Sequence, residues 1–375
     1  MLRLSLVALC SLIAWRTSRI AVADFLAHDG IVSDFDRAIS IEPEDESLLA
    51  GRAIFQSDER ALKQAVTMNP RDVEAWMTLG LLAESRGDPA EAEGDLIRAV
   101  AVDHTFKPSW TLANYYFRSN QPEKFRAAIA RCLSLIEPHD LQPMSFDPVP
   151  VFDLCWRQTG PPKDILALIP RREQTLVPYL KYLYESKRTD AALEAWPGAL
   201  AVANDADPAD ADALIGFDEH LIGANRIPEA VVVWNELARR RLARPGSLEL
   251  GRGFAWHVQH QDGAFVNSSR GALKFEFTGD EPEDCELLWK IVPVSLEERW
   301  KLVWRADPSR FEGVHRGLRF QIGSTSCPLE EGSCEFRVVP GTQSVRLSLR
   351  YARAPGTTRV KGILLLSSVR MEPNP

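Results

Sequence analysis

Two tryptophans, Trp76 and Trp110, stand 34 residues apart, and their surroundings repeat in register. Leu79-Gly80 follows the first at three and four residues. Ala113-Asn114 holds the same places after the second. Between them Gly87-Asp88-Pro89 stops one helix and starts another, with the aspartate as cap and the proline in the first turn. Ala92, Leu96 and Ala99 then recur at helical spacing. A period of this length builds hairpins of two helices. Each hairpin is too thin to bury its own apolar face, so the next one must cover it. The tryptophan is expected to fill the gap between the paired helices. The glycine and the alanines let them approach closely.

This W-x2-L-G, turn, A-x3-F/L-x2-A pattern resembles that of tetratricopeptide repeat proteins. The template extends in both directions. Residues 59–70 read as the second helix of an earlier, degenerate repeat, and residues 121–138 complete the Trp110 repeat. Residues 149–170 keep a two-helix outline. Two further hairpins share A-x3-W, with Ala192 before Trp196 and Ala230 before Trp234. About six hairpins are thus expected over residues 33–244. The resemblance implies a scaffold whose first helices line a groove for a protein or peptide partner. By position the groove candidates are Glu74, Met77, Glu84, Tyr115, Arg118, Lys181 and Tyr184.

The pattern changes at Pro245-Gly246, after which residues alternate with period two. Leu273, Phe275 and Phe277 share one face; so do Trp300, Leu302 and Trp304, and Leu318, Phe320 and Ile322. Val345, Leu347, Leu349 and Tyr351 do the same. Eight or nine short strands broken by Gly, Pro and Asp predict an antiparallel β-sandwich over 250–372. The order of its features resembles jelly-roll domains of carbohydrate-binding modules, from GFAWHV through WKIVPV to GILLLSSVRM. That resemblance implies glycan binding as an alternative function. Ser367 and Ser368 stand where such domains commonly carry acids that hold calcium. Trp256, Trp289, Trp300 and Trp304 all alternate with aliphatic residues and read as core, which leaves no outward aromatic pair.

The expected fold is therefore α plus β and multidomain, a helical solenoid followed by a sandwich. Ahead of both lies an apolar segment, residues 1–23, interrupted by Arg16 and Arg19. Three readings compete: a signal peptide cut after Ala21-Val22-Ala23, a membrane anchor helix and, least favoured, a buried helix. The anchor is favoured because AVA lies well past the apolar run, so a membrane-anchored or exported protein is expected.

Net charge is −8. Residues 246–375 carry 17 basic and 16 acidic residues, so the acid belongs to the helical part. An acidic chain without clustered Lys and Arg is a poor nucleic-acid ligand. No cofactor, metal or catalytic motif is expected: G-x-S-x-G, H-E-x-x-H and P-loop spacings are absent. His257 and His260 lie on opposite faces of a strand, and His220 reads as solvated. Of six cysteines none forms C-x-x-C. Cys327 and Cys334 flank a turn-like loop and are expected to bridge its base in an oxidising compartment.

Overall fold

The structure, a computed structural model, describes residues 2–28, 32–43, 45–136, 147–158, 160–244, 248–269, 271–294, 298–312 and 317–374. Among these residues fourteen helices precede ten strands. The expected boundary at Pro245-Gly246 lies outside the described residues. The chain divides into two units, Met1–Pro170 and Arg171–Pro375.

The first unit holds α1 (Leu2–Ala27), α2 (Val32–Ile41), α3 (Glu46–Gln56), α4 (Glu59–Met68), α5 (Val73–Arg86), α6 (Pro89–Val102), α7 (Phe106–Arg118), α8 (Pro122–Ser134), α9 (Val149–Gln158) and α10 (Pro162–Leu168). Aspartates set the register of the hairpins. Asp58, Asp72 and Asp88 accept the backbone N–H of Ala61, Ala75 and Glu91, satisfying donors that a helix start leaves free. Gly87, at φ 80°, ends α5 in the left-handed region. Helices α3, α5 and α7 touch directly, so the first helices of successive hairpins lie side by side.

The α5–α6 crossing is tight because Gly80 lacks a side chain. A Cβ there would meet Leu96 Cγ at 2.6 Å. Ala92, Leu96 and Ala99 are fully buried against it. The tryptophans depart from expectation. Trp76 and Trp110 are half-buried rather than enclosed. The Trp76 indole N–H donates to the Pro70 carbonyl at 2.9 Å, and the Arg98 guanidinium lies 4.9 Å from its ring centroid. Trp110 stacks on Phe106, at 6.0 Å. The indole N–H and cationic neighbour of Trp76 favour half-burial, and its ring packs at the edge of a core that Ala75 and Leu79 share with Ala53, Leu62 and Val66 of α3 and α4.

The N-terminal segment is a correction. Among the described residues no helix is long and apolar enough to cross a membrane. The reason is visible in α1: Arg16 and Arg19 interrupt it, and Arg19 pairs with Glu42 at 3.1 Å and donates to the Ile41 carbonyl. Ala23 is buried with Ala38 and Leu48, and Leu26 and Ala27 pack on the same cluster. The last turns of α1 thus pair with α2 as one more hairpin. The expected anchor, and the membrane location built on it, fall with this finding, and nothing in it shows an exported location.

The second unit opens with α11 (Glu173–Glu185), α12 (Thr189–Val202), α13 (Pro208–Gly223) and α14 (Ile227–Arg239). Ala192 and Ala230 are fully buried, and Trp196 and Trp234 nearly so. Trp196 packs on Phe217, with ring centroids 5.3 Å apart.

Ten strands follow: β1 (His257–Val258), β2 (Ala264–Ser269), β3 (Ala272–Phe277), β4 (Asp284–Pro293), β5 (Arg299–Glu312), β6 (Leu318–Ile322), β7 (Thr325–Pro328), β8 (Ser333–Arg337), β9 (Ser344–Ala352) and β10 (Lys361–Pro373). They form two antiparallel sheets, ordered β1-β4-β9-β6-β7 and β2-β3-β10-β5-β8. Setting aside the flanking β1 and β2, this is the interleaved two-Greek-key order of a jelly roll. The inner faces share one core that includes Trp256, Phe275, Trp304, Phe320, Leu349 and Leu366. Cys327 of β7 and Cys334 of β8 are joined, so a disulfide links the two sheets at one corner.

Candidate functional site

The groove candidates separate into two groups. Met77 and Tyr115 are buried, at 4% and 1% exposure. Met77 Sδ receives the Thr111 hydroxyl at 3.6 Å, and the Tyr115 hydroxyl donates to the Pro89 carbonyl at 2.9 Å. Both side chains serve the seam between hairpins and are unavailable to a partner. Tyr184 is likewise engaged: its ring stacks on Phe217 and meets His220 at a tilt, and its hydroxyl occupies the space that Gly216 leaves. Lys181 is exposed, 3.9 Å from Glu185 on its own helix.

Glu74, Glu84 and Arg118 do meet a common surface. Arg118 holds Glu84 through two parallel hydrogen bonds, at 2.8 and 2.7 Å. This pairing raises the arginine's pKa above its already high ordinary value. Lys107 pairs with Glu74 in the same sense, from α7 to α5. Acid on one first helix thus faces base on the next, one repeat away. Leu81 is 42% exposed between the two acids, seven residues after Glu74 and three before Glu84, which puts all three on one helix face. Sequence reasoning missed both Leu81 and Lys107. Lys107 is legible as the partner of Glu74 at about one repeat of separation, and Leu81 as sharing a helix face with Glu74 and Glu84.

In the sandwich the sequence pattern fails at one strand. Register shifts between Glu286 and Leu288, so both Leu287 and Leu288 are buried and the alternation reverses beyond them. Trp289, expected in the core, lies on the outer face. It stacks on His257 of β1 at 4.0 Å, and Arg346 of β9 lies 4.0 Å from its ring centroid. Strands β1 and β9 flank β4 on opposite sides, so both faces of the indole are covered. A sugar-stacking platform needs an open ring face, and Trp289 offers none. Phe265, on β2, is exposed and stands alone.

The remaining titratable groups fill structural roles. His220 is half-buried rather than solvated, with Nε2 2.8 Å from the Thr189 hydroxyl; burial lowers its pKa. Cys132 and Cys155 are buried thiols whose pKa values burial pushes up to about 12, which keeps them protonated and inert. Glu173, Asp207 and Asp210 have carboxylate oxygens within 4.8 Å of one another. Asp207 accepts the Ala209 N–H and Asp210 the Asn204 N–H, each at 2.8 Å, so two of the three are committed to chain turns. Asp218 is fully buried, and neither of its oxygens has a hydrogen-bond partner among the described residues. Burial first, then the neighbouring Glu219 charge, pushes its pKa up to about 8.

No protein-family model matches the sequence, and no curated protein matches it. Several solved structures are similar to this chain. MamA is 16% identical over 52% of this chain and 94% of its own, with a TM-score of 0.24. The APC/C hetero-tetramer Cut9–Hcn1 is 14% identical over 58% of this chain and 45% of that one, at 0.28. Yeast Tom70 is 16% identical over 57% and 56%, also at 0.28. Likeness at this level supports no argument about function.

Proposed function

We propose that the chain is a non-catalytic scaffold that binds a protein or peptide partner along the first-helix face of α5 and α7. The observation that carries this reading is the surface formed by Glu74, Leu81 and Glu84 on one helix and Lys107 and Arg118 on the next. An exposed leucine between charge pairs suits a segment that lays an apolar side chain on the helices and places charged residues at either side. The partner class is an amphipathic helix or an extended peptide with flanking charges of both signs. The acid and base already neutralise one another, so the face selects by shape and apolar contact more than by net charge. This is also why a purely acidic or purely basic ligand is a poor fit.

Affinity purification of the full chain under native conditions tests the proposal. A partner recovered with wild type and lost with Leu81→Glu supports it. Equal recovery of every associated protein by both forms contradicts it.

A further inference from the structure

The bulge that turns Trp289 outward has a second consequence: it turns Lys290 inward. Lys290 and Val292 take the inner positions that regular alternation assigns to Trp289 and Ile291. The lysine enters a cavity of about 400 Å³ at the open end of the sandwich. Trp256 floors it, and the Lys290 ammonium stands 5.2 Å from that ring's centroid. Val292, Leu347 and Met371 supply apolar walls, while Arg370, between the inward Val369 and Met371 on β10, points to the outer face.

A lysine placed there is costly. Taking an ammonium partly out of water without a counter-charge is unfavourable, and a cation–π contact restores only part of that. Burial accordingly pulls the Lys290 pKa down to about 8. Among the described residues no carboxylate pairs with it. Glu372, the acid among the lining residues, is exposed and makes no ion pair with it. A methionine of similar length would fill the space at no electrostatic cost. A cavity of this size, with apolar walls and one cation directed into it, has the form of a small-molecule site.

We propose that this cavity binds a small organic carboxylate, its acid group against Lys290 and its apolar body against Trp256 and the aliphatic walls. The ligand supplies the missing counter-charge. The site is independent of the helical surface described above and belongs to the sandwich alone.

Titration of the full-length protein with 4-phenylbutyrate, and with the neutral 4-phenyl-1-butanol, tests this by calorimetry. The acid is expected to bind saturably below about 10 mM and at least roughly tenfold more tightly than the alcohol. Lys290→Met is expected to weaken binding of the acid by a similar factor while melting at or above the wild-type temperature. Equal binding of acid and alcohol, unchanged binding in Lys290→Met, or no saturable binding of the acid overturns the proposal. So does a Lys290→Met protein that melts well below wild type, because the lysine would then be structural.

Discussion

Arg118 lies across the hairpin seam from Glu84, and the two side chains meet as fork and carboxylate, Nε to Oε1 at 2.8 Å and Nη2 to Oε2 at 2.7 Å. The residues are one repeat apart, so the pair measures the stacking of α7 on α5 directly. Two parallel bonds fix both distance and twist, which a single lysine contact does not.

That pair yields a first expectation. In a double-mutant cycle of Glu84→Gln and Arg118→Met, the coupling should be about 0.5–1 kcal/mol, modest because both side chains remain partly in water. Urea denaturation of the four proteins measures it. Strict additivity would show that the pair does not join the hairpins.

The α5–α6 crossing gives the sharpest stability test. Ala92→Arg forces a long charged side chain into a space that holds a methyl group beside Gly80 and Leu96, and should cost about 3 kcal/mol or more. Leu81→Glu, on the exposed face, should change stability by about 0.5 kcal/mol or less. Comparable denaturation midpoints for the two variants would contradict the packing described.

Asp218 predicts a pH dependence. Its folded pKa of about 8 lies above the ~3.9 of an unfolded aspartate. The folded chain therefore holds the proton more tightly. The stability this provides is fully present below pH ~4 and is lost as pH rises toward 8, at up to ~1.4 kcal/mol per unit. Asp218→Asn keeps the shape and cannot ionise, so its stability should fall less between pH 5 and 8 than that of wild type. Parallel stability profiles for the two proteins would rule this out.

The disulfide makes a prediction for the sandwich. Cys327 and Cys334 close a short loop and tie one sheet to the other. Reduction should destabilise the sandwich by about 2 kcal/mol, chiefly by releasing the unfolded chain. Thermal melts of the full chain with and without dithiothreitol should differ in the transition assigned to residues 250–372. Identical melts would show that the bridge adds nothing.

Much of the fold was legible because local chemistry and global packing agree. The 34-residue period, the Asp caps and Gly80 each demand the same hairpin, and the alternation in β3 and β6 matches their burial residue by residue. Failures came where one residue can satisfy two environments or where a register shift is silent in sequence. Met77 and Tyr115 sit at helix positions shared by the seam and the surface, and packing took them inward. Trp289 and Lys290 exchanged faces because a bulge leaves no compositional mark in CELLWKIV. The N-terminal run looks like a membrane anchor because AVA lies well past its apolar stretch. Arg19 instead reaches Glu42 on the next helix, a contact that no local pattern announces.

The central claim is that a partner docks on the face carrying Leu81. Site-specific incorporation of a benzophenone amino acid at position 81, and separately at the exposed Ile97 on α6, tests it in the native setting. Irradiation should give a discrete crosslinked species from position 81 and none from position 97. The same adducts from both positions, or adducts from position 97 alone, would contradict the account.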